Sequence, residues 1–566
     1  MKTTKNIARL AVTAGLTAAL SFGGVMAPVT MAFAAGTTTA NGSVTIANVE
    51  GNHTEFDGYQ IFKADVATVE GKTVVSNITW ANGSVKAAVE GVIKNEEPTY
   101  KGKTAQDAAD WITSKVTGTN DAYCVGPDNI AYKIAAAVDD LTDKKTTSAG
   151  VASGLEHGYW LFVTDAGTIG DGEAGTSPIF TVVGSTPVNV NEKTGIPTVE
   201  KKIVSDADDK EHDAADSQIG QDVTYNLYGT VAENFDKYDT YFYEFSDQIS
   251  KGLTLQTGAK IYLYKNRSDA KGDLTRAKGT DITAYFKEET PAEAAEDGSK
   301  TTTWTCDNLK KVSDVTKDSY IVVSYKAQIN KDAVVAGTEG NENAVTLNYS
   351  NNPMTSERGE TKPDTVKDYT YGLKINKVDL GTEAALDGAE FTIQATGADD
   401  GASKSLYVQK DGSLGSDPWK FVTANGGVIK VTGLDAGTYT VTEVSAPSGY
   451  AKVDPFTFEI KPSMNADDPG AGLTELTGVL TTGQNDKVIA GLTDGDSGDN
   501  KLTLKSGSEK TDGIFNITVG DTKQVGLPLT GLNGVTFTWI AGGAVLCIGV
   551  AHLIRSRKQA EESEQE

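Results

Sequence analysis

The chain has 566 residues and a formal net charge of −26 at pH 7, with 77 Asp and Glu against 51 Lys and Arg. A negative balance of this size argues against nucleic acid as a partner, because phosphates repel it, and suits an exported protein that stays dispersed. Three cysteines and four histidines provide neither a disulfide framework nor a histidine-rich metal site. Sixty glycines, with abundant Thr and Val, predict many short strands joined by turns.

The start of the chain has the three parts of a secretory signal peptide, which we assign to residues 1–34. A basic start precedes an apolar stretch at 10–20, and a small-x-small cleavage site follows at 32–34. The mature protein is therefore expected to begin near Ala35 and to lie outside the cell. Its length of about 500 residues suggests three or four domains of usual size.

The first mature domain, residues 35–193, is predicted to be α+β. Its histidines, His53 and His157, have no Cys or carboxylate cluster at ligand spacing, so we interpret them as structural and expect no metal. Alternating apolar residues indicate its strands, and apolar residues spaced three and four apart indicate its helices. Strands are predicted at 42–49, 57–62 and 158–163, and helices at 104–116 and 129–141.

The end of this domain is the short alternating segment PVNVNEK, residues 187–193, before a break at 194–197. Alternation places Val188 and Val190 on one face and Lys193 on the other. Lys193 is therefore expected to face solvent.

The second domain, residues 197–358, has three polar residues in phase with apolar neighbours on predicted strands: Lys201, Asp247 and Asn343. All three side chains are expected to point into one core. Burial removes the charge of an unpaired group, so the lysine becomes a nucleophilic amine and the aspartic acid keeps a proton with which it can polarise the carboxamide. The pattern predicts an amide between Lys201 and Asn343, assisted by Asp247, with release of ammonia. A buried salt bridge with a hydrogen-bonded asparagine uses the same residues.

The third domain, residues 364–525, repeats this pattern. A predicted strand carries aromatic and apolar residues from Tyr369 in phase with Lys377, and Glu443 shares a face with apolar residues of its own strand. On the predicted last strand, Asp521 shares the apolar face. Asp521 is therefore the favoured acceptor for Lys377, with release of water.

Asn516 lies on the opposite face of that last strand and is the alternative acceptor. A plain buried ion pair between Lys377 and Glu443 is also open. The Gly- and Asp-rich stretch 454–512 is predicted to be a solvated loop, because its acidic spacing fits no calcium loop. Whether Cys124 and Cys306 pair is open as well.

The final segment, residues 527–566, combines three signals. Leu527-Pro528-Leu529-Thr530-Gly531 is followed by an apolar run at 535–554 and then by basic residues. The apolar run of about 20 residues spans roughly 30 Å as a helix, one hydrocarbon thickness. The basic residues after it hold that end in the cytoplasm. Pro528 keeps the pentapeptide extended, so a protease-like groove can receive it.

This tail resembles the cell-wall sorting signal of Gram-positive surface proteins. In the third domain, KVD at 377–379, LDGAEF at 386–391 and YTVTEVSAPSGY at 439–450 resemble the collagen-adhesin B-type immunoglobulin-like domain. That resemblance implies an amide from Lys377 to an Asn or Asp of the last strand, assisted by Glu443. The segment before Lys193 is similar to the pilin motif, with Asn191-Glu192 where the family has Tyr-Pro.

In their order along the chain, these features resemble the major subunit of a sortase-assembled pilus. The resemblance implies a mainly β fold of tandem immunoglobulin-like sandwiches after an α+β domain. It implies sortase cleavage between Thr530 and Gly531 and transfer of the threonine carbonyl to Lys193 of the next subunit. The implied partners are a class C-type pilus sortase, a housekeeping sortase, identical subunits, a tip pilin and peptidoglycan.

The alternatives to a pilus subunit are a monomeric wall-anchored adhesin and a wall-anchored hydrolase. A monomeric wall-anchored adhesin shares the tail but has no use for Lys193. A hydrolase is not expected, because no histidine stands in a Ser/His/Asp or zinc-like pattern. We therefore expect a non-enzymatic wall protein without a cofactor, whose adhesion ligand, organism and sortase the sequence leaves open.

Overall fold

The computed structural model describes residues 41–69, 72–115, 130–192, 194–291, 293–335, 340–398, 405–465, 472–482, 488–489, 501–505 and 513–524. The predicted signal peptide, Lys193, the pentapeptide 527–531 and the apolar run 535–554 lie outside these ranges. Within them, no helix is both long and apolar enough to cross a membrane. The fold is mainly β with an α+β N-terminal part, as predicted.

The N-terminal part packs helices against a sheet with strand order β3-β2-β6-β7, and β5-β1-β8 forms a second sheet. The helices bury one apolar face each, as their spacing predicts. The helix α1 was not predicted; its apolar stripe is narrow, and Asn82 caps it by accepting from the Val85 N–H at 2.9 Å. The elements are β1 Gly42–Ala47, β2 Phe56–Val69, β3 Lys72–Trp80, α1 Gly83–Glu96, α2 Ala105–Lys115, α3 Ile130–Val138, β4 Lys145–Thr146, β5 Val151–Leu155, β6 Gly158–Thr164, β7 Ile179–Val183 and β8 Val188–Asn191.

The second part is a sandwich of two mainly antiparallel sheets, because alternating strands bury one face each in a shared core. Its elements are β9 Val199–Ser205, β10 Lys210–His212, β11 Ala214–Asp216, β12 Asp222–Thr230, β13 Tyr243–Ile249, β14 Leu253–Leu255, β15 Lys260–Tyr264, α4 Arg267–Lys271, β16 Thr280–Asp281, β17 Lys287–Glu289, β18 Lys300–Cys306, β19 Tyr320–Ile329, β20 Asn341–Ser350, β21 Arg358–Glu360 and β22 Asp364–Tyr369.

The two faces of this sandwich come from different strands. One sheet has the order β10-β9-β12-β19-β15-β16, and the other has the order β11-β22-β20-β13-β18-β17. The strand β22 begins at Asp364, where the third domain was expected to start, yet it pairs with β20 along Asn341–Val345. The expected continuous strand from Tyr369 to Lys377 is therefore wrong: the chain changes sheets at Thr370, because the residues before it pair with Asn341–Val345 and those after it pair with Val428–Leu434.

The third part is a second sandwich, with sheet orders β28-β23-β35-β30 and β26-β25-β24-β29-β31-β32-β34. Its elements are β23 Tyr371–Asp379, β24 Glu390–Ala398, β25 Tyr407–Val408, β26 Leu414–Gly415, β27 Phe421–Val422, β28 Val428–Leu434, β29 Gly437–Ser445, β30 Tyr450–Ala451, β31 Phe456–Met464, β32 Leu473–Thr482, β33 Val488–Ile489, β34 Lys501–Lys505 and β35 Ile514–Lys523.

The stretch 454–512 corrects another expectation. It was predicted to be a solvated loop, but β31 and β32 extend the sheet of β29. Phe456, Phe458 and Ile460 alternate along β31 and are buried in the core. This alternation outweighs the Gly and Asp content around it, because burial of apolar side chains drives strand formation more than composition does.

The junction between the two sandwiches is short and well bonded. Gln218 donates to the Gly433 carbonyl at 2.8 Å, and its own carbonyl accepts from the Asp435 N–H at 3.2 Å. The Ile219 N–H also donates to Gly433 at 2.9 Å. These contacts join the two sandwiches near the point where β22 ends and β23 begins.

Candidate functional site

Lys201 lies on β9 with its side chain fully buried between the sheets of the second sandwich. Because β9 alternates, Lys201 shares its face with Ile203 and points across the core. On the facing sheet, Asp247 pairs with Val345, and the next inward pair on the same strands is Ile249 with Asn343. Asp247 and Asn343 are 1% and 0% exposed, so the predicted burial of all three polar side chains is confirmed.

The structure brings these three side chains into contact at the Lys201 amine. Lys201 Nζ contacts both Asp247 Oδ2 and Asn343 Oδ1. It also donates to the Tyr325 hydroxyl at 3.1 Å. An amine, a carboxyl and a carboxamide are thus held together inside an apolar core, which is the arrangement that amide formation needs.

Tyr325 is the member of this site that the sequence analysis missed. Its hydroxyl donates to Asp247 Oδ1 at 2.8 Å and accepts from Asn343 Nδ2 at 2.7 Å. Tyr325 lies on β19 in phase with Val323 and Ala327, both buried. That alternation could have predicted the burial of Tyr325. It could not have predicted its role, because buried tyrosines are common in cores and the strand pattern does not show which groups the hydroxyl contacts.

Burial sets the electrostatics of this site. Desolvation lowers the pKa of the Lys201 amine to about 8, although Asp247 opposes the shift. Desolvation also raises the pKa of the Asp247 carboxyl, and it raises the pKa of the Tyr325 phenol well above 10. Aromatic rings of Tyr225 and Tyr325 lie 5.8 and 5.6 Å from Lys201 Nζ and exclude water from it. Both shifts of the ion pair favour a neutral amine beside a neutral acid.

The third sandwich places Lys377, Glu443 and Asp521 together in the same way. Their exposed fractions are 0%, 1% and 0%. Lys377 Nζ contacts Asp521 Oδ1, and it lies 3.2 Å from Glu443 Oε1 and 3.3 Å from Glu443 Oε2. The Val453 N–H donates to Glu443 Oε2 at 2.8 Å and orients that carboxyl.

The register of β35 separates the two candidate acceptors for Lys377. The strand runs parallel to β23, and Asp521 is in register with Asp379, two residues beyond Lys377 on the same face. Asn516 is in register with Lys374, on the opposite face of the sheet. The geometry therefore presents Asp521, rather than Asn516, to the lysine.

Burial favours the protonated form of the Glu443 carboxyl in the third site. Desolvation raises the pKa of Glu443, and nearby Asp521 adds to the rise. In the described part of the chain, Glu443 Oε1 and Asp521 Oδ2 are buried without a hydrogen-bond donor. A proton on Glu443 supplies a donor at this place, because a protonated acid donates where a carboxylate only accepts.

The two sites connect different parts of their sandwiches. In the second sandwich the contact crosses the core, from β9 in one sheet to β20 in the other. In the third sandwich it joins the neighbouring parallel strands β23 and β35. A bond at either site would tie residues more than 140 positions apart, 142 in the second sandwich and 144 in the third.

The segment before Lys193 alternates as predicted: Val190 is buried, whereas Asn189 and Asn191 are exposed. Glu192 turns inward and is 3% exposed. It accepts from Asn52 Nδ2 at 2.7 Å and from the Val49 N–H at 3.2 Å. Lys193 itself lies outside the described residues, so its role stays a prediction.

The other polar clusters of the described chain show pairs rather than metal sites. No group of three or more His, Cys, Asp or Glu in the described ranges is arranged to hold a metal ion. His53 contacts Glu173 at 2.7 Å, and His212 contacts Asp208 at 3.1 Å. Cys306 is buried as a free thiol, and Cys124 lies outside the described residues.

Comparison with protein families gives matches over both sandwiches. Residues 219–353 match the model described as Gram-positive pilin backbone subunit 2, Cna-B-like domain. Residues 371–468 match the SpaA model, described as a prealbumin-like fold domain. No curated protein matches the sequence.

Solved structures with a similar course of chain include three pilins. The T6 backbone pilin of serotype M6 Streptococcus pyogenes is 16% identical, with 85% of this chain and 98% of that chain covered and a TM-score of 0.49. The major pilin SpaD of Corynebacterium diphtheriae is 18% identical, with 86% and 98% covered and a TM-score of 0.43. The major pilin BcpA of Bacillus cereus is 13% identical, with 85% and 99% covered and a TM-score of 0.36.

The fold and the buried lysines define a class of protein: tandem β-sandwich domains, each with an amine and its acceptor in the core. Within that class, the family matches are specific. The second sandwich is similar to a Gram-positive pilin backbone domain, and the third is similar to a SpaA prealbumin-like domain. This similarity supports a structural subunit of a pilus rather than an enzyme.

Proposed function

We propose that the chain is the major structural subunit of a covalently polymerised cell-surface pilus, or fimbria, and that it supports adhesion. A class C-type pilus sortase joins Thr530 of one subunit to Lys193 of the next. A housekeeping sortase finally attaches the polymer to peptidoglycan, with a tip pilin at the far end. The observation that carries the proposal is the contact of each buried lysine with a carboxamide or carboxyl acceptor, in consecutive sandwiches.

In the second sandwich, the neutral Lys201 amine attacks Cγ of Asn343. The new C–N bond replaces the bond from Cγ to Nδ2, one proton moves from Nζ to Nδ2, and ammonia leaves. Asp247 accepts the proton that Nζ gives up and supplies another, so it ends the reaction as it began. The low pKa of Lys201 and the raised pKa of Asp247 provide the protonation states that this step needs.

In the third sandwich, the neutral Lys377 amine attacks Cγ of the protonated Asp521 carboxyl. The new C–N bond replaces one C–O bond of Cγ, and the oxygen leaves as water with the carboxyl proton and one proton from Nζ. The raised pKa of Glu443 favours its protonated form, which donates to the acceptor carbonyl as charge develops there. Each reaction happens once in each chain, without turnover. The chain is therefore a substrate of its own chemistry and of sortase, and it needs no cofactor.

The bonds serve mechanical strength. A fibre one molecule wide carries force along every subunit, and a sandwich under tension unravels from its ends. Bonds from β9 to β20 and from β23 to β35 hold together strands that are far apart in sequence. The short junction between the sandwiches leaves little slack between them.

Intact mass tests the internal bonds. We expect the chain from Ala35 to Thr530 to be lighter than its sequence by one ammonia and one water. Lys201→Met should restore the ammonia and Lys377→Met the water. Lys374→Met, on the opposite face of β23, is the matched control and should change neither loss. A wild-type mass equal to the sequence would refute internal amide formation and leave buried ion pairs.

Wall extracts test polymerisation. We expect a ladder of species that resist heat and detergent, which Lys193→Ala reduces to a monomer band. The control is Lys210→Ala, whose side chain is 70% exposed on β10. A monomer band in the unmodified strain would contradict a pilus and favour the monomeric wall-anchored adhesin.

A further inference from the structure

We propose that Tyr325 is a catalytic residue of the second sandwich, which relays a proton from Asp247 to the nitrogen of Asn343 as ammonia leaves. The inference rests on the proposed amide formation and adds to it the route of the leaving-group proton. Its basis is one hydroxyl that touches all three members of the site. Tyr325 Oη lies 3.1 Å from Lys201 Nζ, 2.8 Å from Asp247 Oδ1 and 2.7 Å from Asn343 Nδ2.

The contacts of Asp247 divide its two oxygens between two tasks. Asp247 Oδ2 contacts Lys201 Nζ, the atom that must lose a proton. Asp247 Oδ1 contacts Tyr325, which in turn contacts Asn343 Nδ2, the atom that must gain one. The carboxyl therefore reaches the leaving nitrogen through the hydroxyl.

The relay acts after the amine has attacked. An amide nitrogen is a donor and offers no acceptor lone pair, so Asn343 Nδ2 donates to Tyr325 in the resting site. Once Cγ is tetrahedral, the lone pair on Nδ2 is free to accept. For this step the hydrogen bond between Tyr325 and Asp247 reverses: the carboxyl proton lies on Oδ1 and points at Tyr325 Oη, and the hydroxyl turns from Oδ1 to Nδ2. Tyr325 Oη–H then gives its proton to Nδ2 and takes the one on Asp247 Oδ1. Asp247 regains a proton at Oδ2 from Lys201 Nζ, and neutral ammonia departs.

Packing holds the hydroxyl at this place. The Tyr325 ring stacks on Tyr225, with ring centroids 5.5 Å apart and an interplanar angle of 18°, and it lies 5.2 Å from Trp304. Tyr325 is 3% exposed, so bulk water does not replace its hydroxyl. The third sandwich differs in its leaving group: an assisting acid again lies beside the amine, but the acceptor Asp521 loses water rather than ammonia.

The test is Tyr325→Phe in the full-length chain, which keeps the ring and removes the hydroxyl. After pulse labelling, the chain is digested, and the fraction of Lys201 joined to Asn343 is followed by peptide mass. We expect the rate of joining to fall about 10²–10⁴-fold, the usual effect of losing a general acid–base group. The bond from Lys377 to Asp521 in the same chain is the internal reference and should form at its usual rate.

Tyr243→Phe is the matched control, because Tyr243 is a fully buried tyrosine of the same core whose hydroxyl donates to the Thr230 carbonyl at 2.8 Å. This variant should join Lys201 at the wild-type rate. Joining at the wild-type rate in Tyr325→Phe would overturn the relay. A wild-type chain that never joins Lys201 to Asn343 would instead overturn the proposed amide formation, and the two failures are distinct.

A second variant covers the case in which Tyr325→Phe unfolds, which trypsin cleavage within 199–369 would reveal. Difluorotyrosine at position 325 retains the ring packing and makes the phenol more acidic. The relay gives one proton and takes another, so a change in the acidity of this hydroxyl should change the rate of ammonia release. The pH profile should keep its shape, because Lys201 and Asp247 determine it. A rate equal to that of the wild type in this variant would refute the proposal.

Discussion

Replacement of Lys201 by methionine should unfold the second sandwich at a much lower temperature. Methionine is unbranched and apolar and fills the space of the lysine stem, so packing is largely retained. What disappears is the bond to Asn343, 142 positions away. Closing a loop of that length lowers the entropy of the unfolded chain by an amount worth about 5 kcal/mol at 25 °C, on the scale established for disulfides.

Such a loss of stability corresponds to a fall in Tm of roughly 10–20 °C for a domain of 150–250 residues. Scanning calorimetry of the mature chain should show this shift in the transition of the second sandwich. The transition of the third sandwich is the internal reference. Lys202→Met is the matched control, because Lys202 lies on the other face of β9, where it is partly exposed and pairs with Asp213 at 2.5 Å. We expect the control to lose only about 1 kcal/mol.

The reasoning would be refuted if Lys201→Met and Lys202→Met melted at the same temperature while intact mass showed the ammonia missing from the wild type. That result would mean that the amide forms but does not constrain unfolding. The loop-closure account of its stability would then be wrong, although the chemistry would stand.

Three further predictions concern the other sites. Glu443→Gln should slow water loss in the third sandwich by about 10²–10⁴-fold, because the glutamine side chain has no acidic proton to donate. Peptide mass would measure the rate at which Lys377 is joined to Asp521. Burial raises the pKa of Asp368 and of Asp435 well above the usual range, so the folded junction holds protons that the unfolded chain releases. Its stability should therefore fall as pH rises above about 4, by up to 1.4 kcal/mol per pH unit per group, and Asp435→Asn should flatten that slope in calorimetry. Glu192→Ala should reduce the polymer ladder, because β8 loses the buried carboxylate bonded to Asn52 just before the predicted acceptor.

These predictions have their own controls and contrary outcomes. Glu459→Gln, on an outer face of β31, should leave water loss unchanged, and equal slowing in both variants would point to general destabilisation. Asp417→Asn is exposed and should leave the pH slope unaltered. A junction whose stability rose with pH would contradict the assignment of buried neutral carboxyls. An intact ladder in Glu192→Ala would show that the anchoring of β8 is unnecessary for polymerisation.

Local alternation in the sequence predicted most of the buried side chains at the two candidate sites. The phases of Lys201, Asp247 and Asn343 were predicted from their own strands, because a strand places every second side chain on the same face whatever its partners are. The phases of Lys377 and Glu443 followed in the same way. Burial of these residues could therefore be predicted from a few neighbours in sequence.

The tertiary structure alone decided which of these side chains meet. The phase of its own strand already favoured Asp521 over Asn516, and the parallel register of β35 against β23 then places Asp521 beside Lys377. Tyr325 joined its site because β19 and the strands of Asp247 and Asn343 lie on opposite sides of one core. Register and sheet pairing depend on contacts between segments that are distant in sequence, so local periodicity cannot predict them. Thus local alternation predicted the burial of the lysines and acids at the two sites, and the packing of the sheets determined which groups each of them contacts.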